Sequence, residues 1–193
     1  KVTPITDLLD LNQNISKDFS SKRFLFCSGK ISKQKGIISL IDSLKKLSSK
    51  IKIDVVGEWP EYEEPKIGLK NIDYHGYVTD KLKRKNFYLN ARTLLILSKG
   101  EGFPRVIYEG ILNRCLILST RIESIEKNLK GFKIFFINDR DNITEVSKKI
   151  KQLYQINETD FKNITDDNLK LLKNLFKDDS GRQFQNLTKK IWK

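Results

Sequence analysis

The feature that most narrows the possible folds is an alternation of short apolar runs with helical patterns. Arg23–Ser28, Ile51–Val56, Thr93–Leu97, Leu116–Leu118 and Phe132–Ile137 are rich in aliphatic and aromatic residues on both alternating faces. A strand of that kind is covered on both sides, which is the condition of a strand inside a parallel sheet. Between the first two runs, Ile37, Ile38, Leu40, Ile41, Leu44 and Leu47 recur at the spacing of one helix face. Ile72–Val78 reads as a short strand and turn, with Thr79 as the N-cap of a helix from 80 to 90. Gly57 is expected to stop the second strand, and a polar loop with Trp59 and Pro60 follows it. A short helix is expected around 124–129, and Asn142 or Thr144 caps a helix running to Tyr154. Helical patterns at 160–176 and 181–192 are split by Asp178-Asp-Ser-Gly181. Strand, helix, strand in this order predicts an α/β chain, a doubly wound parallel sheet with extra C-terminal helices.

In such sheets ligands sit at the carboxyl ends of the strands. Two glycine-containing elbows leave strand ends here, at 29–36 and at 98–104, and they are expected to converge on one site. The second, Ser98-Lys-Gly-Glu-Gly-Phe-Pro-Arg105, turns from an apolar run into a helical pattern with Pro104 at the first helical position. A helix N-terminus there can hold an anion through its free N–H groups and its dipole. Glu101 and Glu109 flank the same turn with seven residues between them, and their carboxylates can accept hydrogen bonds from hydroxyl groups. An anion beside several hydroxyls describes a nucleotide sugar.

The formal net charge of +13 raises the question of nucleic acid. The excess is mostly lysine scattered along helical patterns, the distribution of a solvated surface, with docking to anionic lipid as the next reading. No nucleic-acid motif is present, and no nucleic-acid partner is expected. Cys27 and Cys115 lack metal or redox spacing and read as buried, reduced thiols in a cytoplasmic setting. His75, the single histidine, reads as a strand residue rather than a catalyst. No apolar run approaches the roughly 18 residues of a membrane-spanning helix. The chain contains no methionine, and residues 1–22 read as a lead-in from a preceding domain that is absent here.

These stretches resemble a known family. Ser28-Gly29-Lys30-Ile31-Ser32-Lys33-Gln34-Lys35-Gly36 is similar to the G-[RK]-[LI]-x-x-x-K-G loop of retaining GT-B glycosyltransferases, the large group related to sucrose synthase. Glu101-Gly102-Phe103-Pro104 with Glu109 resembles the E-x7-E signature of its group 1, family 4 type. Ile53-Asp-Val-Val-Gly57 and Tyr74-His-Gly-Tyr77-Val78 resemble two further strands of that family, in order and at its spacing. The resemblance covers about 23–155 and implies the Rossmann-like C-terminal, donor-binding domain of a two-domain enzyme. Residues 23–157 would form the nucleotide-sugar domain, and 158–193 helices that pack back on it or on its missing partner, with Trp192 as an anchor.

The resemblance implies roles residue by residue. Lys30 and Lys35 supply positive charge to the diphosphate, Glu101 contacts the sugar hydroxyls, and Glu109 binds the ribose. Gly29, Gly57, Gly102, Phe103, Pro104 and Val106 line the pocket, and Tyr77 and Val78 lie beside the base. Arg105 reaches phosphate or acceptor, or is an exposed first-turn arginine. Lys30 and Lys35 also fit a solvated loop, and Glu109 an exposed helical position. The implied reaction is hexosyl transfer from a UDP- or GDP-sugar to a bacterial polysaccharide or glycolipid (lipopolysaccharide or capsule), with no cofactor and no metal ion. Asp139-Arg140-Asp141 matches a metal-binding D-x-D by letters only. The implied partners are the donor, an N-terminal acceptor domain, and an anionic membrane surface or lipid-linked acceptor. The setting is cytoplasmic, with peripheral seating at the inner face of the membrane. A GT-B-fold nucleotide-sugar epimerase and a non-catalytic nucleotide-binding or interaction module are the alternatives. The chain departs from the family after Glu109, where Gly110 is expected to let the helix pack closely on the first elbow.

Overall fold

The fold is taken from a computed structural model, which describes residues 17, 19–59, 70–102 and 105–177. Six strands form one sheet: β1 (Arg23–Lys30), β2 (Ile53–Glu58), β3 (Ile72–Tyr74), β4 (Ala91–Ile96), β5 (Leu116–Thr120) and β6 (Phe135–Ile137). Their order is β3-β2-β1-β4-β5-β6, and every neighbouring pair is parallel. The helices are α1 (Ile37–Leu44), α2 (Lys81–Asn90), α3 (Arg105–Leu112), α4 (Glu123–Asn128), α5 (Ile143–Gln155) and α6 (Glu158–Lys177). This is the expected α/β, Rossmann-like doubly wound sheet. The expected helix at 181–192 and Trp192 lie outside the described residues.

The period of two along each strand divides the core between the two faces. Phe24, Phe26, Leu95, Leu97, Leu116 and Leu118 join the layer under α1 and α5. Leu25, Leu94, Ile96 and Ile117 join the layer under α2, α3 and α4. Helix α6 reaches both layers, with Phe161 in the first and Leu169 and Leu172 in the second. Each fully buried leucine of this kind contributes about 2 kcal/mol. That continuous two-sided burial fixes the strand register and therefore the height of every strand end.

The structure moves several expected boundaries. β1 runs on through Gly29 and Lys30, so the first elbow begins later than its glycine. Gly57 lies inside β2 rather than ending it. The β1–β2 register shifts between Cys27 and Lys30, and a Cβ on Gly57 (φ 152°) would sit 2.2 Å from the Ser28 carbonyl. Only glycine lets β2 pass that irregularity. Asp80, not Thr79, caps α2: its carboxylate accepts the Lys83 N–H at 2.7 Å, and its charge suits the helix N-terminus. Asn142 caps α5 through the Glu145 N–H. β6 begins at Phe135, after a turn through Gly131. Gly110 packs on the sheet, not on the first elbow. A Cβ there would lie 2.8 Å from Leu94 Cδ2 and 3.1 Å from Ile117 Cδ1.

Candidate functional site

Strand order reverses between β1 and β4, because the chain builds outward from β1 to β3 and then crosses back. The connections leaving the two strands diverge to opposite sides, which opens a crevice at their carboxyl ends. A cavity of about 170 Å³ lies there, with Cys27, Ser28, Gly29 and Lys35 on the β1 side and Ser98, Glu101, Arg105 and Val106 on the β4 side. The two elbows do converge.

The first elbow is shaped locally. Ser32 caps a single 3₁₀ turn, Lys33–Lys35, by accepting the Lys35 N–H at 3.3 Å. Gly36 ends that turn in the left-handed region (φ 89°) and starts α1. Its missing side chain matters, since a Cβ would meet the Leu97 carbonyl oxygen at 2.2 Å. The first elbow therefore lies directly on the end of β4. Lys99 N–H donates to the Gln34 carbonyl at 3.2 Å, a backbone tie between the elbows.

At the centre, Lys35 Nζ donates to Glu101 Oε1 at 2.7 Å. The Ser98 hydroxyl donates to the same carboxylate oxygen. The Ser124 hydroxyl, on α4, donates to the Glu101 carbonyl at 2.5 Å and holds that backbone. The lysine side chain is one-third exposed and the glutamate one-sixth exposed. The pair therefore stands at the cavity wall, reachable by a ligand and shielded from much of the solvent.

Glu109 lies on α3, about as shielded as Glu101, 4.0 Å from Arg84 Nε. Its neighbours include Cys27 and Tyr88, and its charge raises the pKa of both. Burial is the larger cause in each case, pushing the Cys27 thiol up to about 11 and the Tyr88 hydroxyl well above its ordinary value. Both cysteines are free, Cys115 buried and Cys27 partly so.

Of the residues singled out from sequence, Gly29, Lys35, Glu101, Arg105 and Val106 meet at the cavity. Lys30 is an exposed residue at the end of β1. Gly57, Tyr77, Val78 and Glu109 are not among the cavity walls. Tyr77 is 65% exposed and Val78 is buried, both in the connection between β3 and α2. Gly102 stands in the bend before α3, and Phe103 and Pro104 lie outside the described residues. Arg105 is exposed at the start of α3.

The sequence reading passed over Ser98 and Ser124 as site residues, and above all Arg140. Arg140, in the turn after β6, is buried and donates to backbone carbonyls of the first elbow and of Leu97, the residue from which the second elbow leaves. Its one signal was position, a polar residue just past the carboxyl end of a strand. Asp139 and Asp141 are engaged within the same turn, the Asp139 carboxylate accepting the Asp141 N–H at 2.9 Å. Among the described residues, no group of three His, Cys, Asp or Glu side chains is placed to hold a metal ion.

Comparison with known proteins places this arrangement. The model of the glycosyl transferases group 1 family matches residues 10–166. Among solved structures, S. aureus TarM, crystallised with UDP, shares 18% identity at a TM-score of 0.69, covering 93% of this chain and 37% of that one. The C-terminal domain of a group 1 glycosyl transferase, LpcC from Francisella tularensis, shares 17% identity at a TM-score of 0.66, over 80% of this chain and 86% of that one. The pneumococcal O-GlcNAc transferase GtfA, in complex with UDP and GlcNAc, shares 19% identity at a TM-score of 0.66, over 96% of this chain and 38% of that one. The chain thus spans well under half of TarM and GtfA. No curated protein sequence matches it.

Proposed function

The chain belongs to the group 1 glycosyl transferases, and from that membership we propose that it is the donor-binding domain of a retaining, metal-independent glycosyltransferase. The substrate class is a nucleotide diphosphate sugar, transferred to a polysaccharide or glycolipid acceptor. The observation that carries this reading is the Lys35–Glu101 pair at the crevice between β1 and β4. A diphosphate draws Lys35, and the carboxylate that Lys35 releases is then free to accept the donor sugar's hydroxyls. Lys30, at the end of β1, adds charge to the departing diphosphate, and the N-terminus of α3 adds its dipole. Gly29, Gly102, Phe103, Pro104, Arg105 and Val106 line the sugar and phosphate positions. Glu109 takes the ribose hydroxyls, and Tyr77 and Val78 flank the base beside Gly57. The UDP held by TarM and GtfA favours a uridine nucleotide.

The acceptor would be held by an N-terminal domain. The chain covers most of a structure described as a C-terminal domain and about two-fifths of TarM, which supports that division. Alone, the chain should bind donor and transfer little, because transfer requires both reactants in one geometry. Among the described residues no helix is long and apolar enough to cross a membrane. The net charge of +13 suits seating at an anionic cytoplasmic leaflet, where a lipid-linked acceptor would be met.

Calorimetry with UDP, GDP and their hexose conjugates tests the reading. We expect the unmutated chain to bind one nucleotide, and Glu109→Gln to lose about tenfold of that affinity, the loss of a charge-assisted hydrogen bond. No binding of either nucleotide at millimolar concentration would leave only the non-catalytic module.

A further inference from the structure

Arg140 belongs to the turn between β6 and α5, two strands away from the crevice edge. Only 6% of its surface is exposed. Its Nη1 donates to the Gln34 carbonyl at 2.6 Å and to the Leu97 carbonyl at 2.7 Å, and its Nη2 donates to the Lys33 carbonyl at 3.0 Å. Lys33 and Gln34 belong to the 3₁₀ turn that carries Lys35, and Leu97 is the residue between β4 and Ser98. One guanidinium therefore spans both elbows. The next residue repeats the pattern: the Asp141 carboxylate accepts the Ser39 hydroxyl of α1 at 3.0 Å and pairs with Lys99 Nζ at 3.0 Å.

A buried cation is costly unless hydrogen bonds replace its water. Here they come from three main-chain carbonyls rather than from a buried carboxylate. Asp141, the nearest acid, lies 3.4 Å from Nε and is itself half exposed. A planar fork with several fixed donors can satisfy carbonyls from two separate loops at once, whereas an ammonium group on a shorter stem cannot reach all of them. Arg140 is not among the walls of the cavity. Its burial serves the relative placement of the two loops that are.

We propose that Arg140 is a positioning residue of the donor site: it sets the 3₁₀ turn of Lys35 against the end of β4 and so places the Lys35 ammonium for the donor diphosphate. The inference rests on the donor-binding reading above. It concerns a residue that touches no ligand, and it predicts coupling to one named side chain.

The test is a double-mutant cycle read by calorimetry, with whichever of UDP and GDP the unmutated chain binds. Arg140→Met is expected to lower that affinity about tenfold in the otherwise unmutated chain, the scale of a misplaced binding group. In the Lys35→Met background the same change should cost less than about twofold, because the group that Arg140 positions is gone. A general loss of structure would instead cost the same factor in both backgrounds, and that result overturns the proposal. So does an unchanged affinity of Arg140→Met. If Arg140→Met shows no cooperative thermal transition, Arg140→Lys takes its place in the cycle with the same two outcomes. If the unmutated chain binds neither nucleotide, the donor reading fails and this inference with it. If the unmutated chain binds and the cycle is additive, only the inference fails.

Discussion

Two charged clusters occupy this small sheet, and they differ in almost everything except composition. At the β1/β4 boundary, Lys35, Glu101 and Ser98 stand at a cavity wall. On the flank formed by β1, β2 and β3, Arg23 grips Asp54 with two hydrogen bonds of 2.7 Å and reaches Asp73 at 2.5 Å. His75 Nε2 completes that cluster 2.7 Å from Asp54 Oδ1, its ring packed on Phe87 with centroids 4.6 Å apart. The flank sets Arg23, Asp54, Asp73 and His75 against the crevice's Lys35 and Glu101, and it pairs them with one another. Its three strands follow one another without reversal, so the strand order supplies no switch point there. The comparison teaches that topology separates a cluster placed at a crevice from one paired within the sheet. A carboxylate and a cation side by side carry no ligand information until the chain parts around them.

The sharpest way to break the crevice is to push its elbows apart. Gly36→Val places a branched side chain where a Cβ already lies 2.2 Å from the Leu97 carbonyl, at a φ of 89°. We expect a loss of about 4 kcal/mol in urea unfolding, combining backbone strain with overpacking.

Next in size is Asp54→Asn, which should cost about 2 kcal/mol, because it removes the buried charge that Arg23 and His75 both hold while Arg23 keeps only Asp73, and should leave nucleotide affinity unchanged. The cluster also predicts a pH dependence. Burial alone would raise the Asp54 pKa, but hydrogen bonds from Arg23 and His75, with their charges, outweigh it and hold the carboxyl below its ordinary value. A depressed carboxylate pKa stabilises the fold above the unfolded-state value, and that stability is lost as pH falls through the folded-state value. Thermal melts should therefore show an acid limb that flattens in Asp54→Asn.

Lys35→Met is the mirror image of that variant. Its half-buried ion pair should be worth about 1 kcal/mol of stability, while nucleotide affinity falls about thirtyfold. Equal effects of Lys35→Met and Asp54→Asn on both readouts would erase the distinction between the clusters.

The smallest effect is kinetic. Cys27 lies at the cavity, and its thiol is pushed up to about 11 by burial, with the Glu109 charge adding to the rise. Alkylation requires the thiolate, so its rate should climb through pH 9 and 10, where an ordinary cysteine near 8.5 has levelled off. Bound nucleotide should slow it further.

The architecture was legible because it is written in periodicity. Runs such as Thr93–Leu97 are apolar on both faces, and that alone requires a layer of helices on each side. The second elbow was legible through Gly100 and Gly102, just past β4, and the first through Gly36, whereas Gly29 lies inside β1 and marks no strand end. Boundaries were harder where two neighbouring residues compete for one task. Thr79 and Asp80 both suit a cap, and the carboxylate takes it. Gly57 looked like a strand stop because glycine is a poor strand former, yet the irregularity in β1 beside it requires a residue with no Cβ. Gly110 was expected against the first elbow and lies instead on Leu94 and Ile117. Arg140 was invisible for a different reason. Its partners are 43 to 107 positions away and are all main-chain atoms, so no residue type marks them.

The Lys35–Glu101 contact has one more consequence, and it concerns what the crevice would turn away. A lone phosphate or sulfate that takes Lys35 strands a carboxylate that is five-sixths shielded, with a single serine hydroxyl to answer it. A lone sugar that takes Glu101 strands the ammonium in the same way. A molecule bearing phosphate at one end and hydroxyls at the other replaces both halves together. On the proposed reading the pair would act as a coincidence detector, answering the two chemistries only when one molecule brings both.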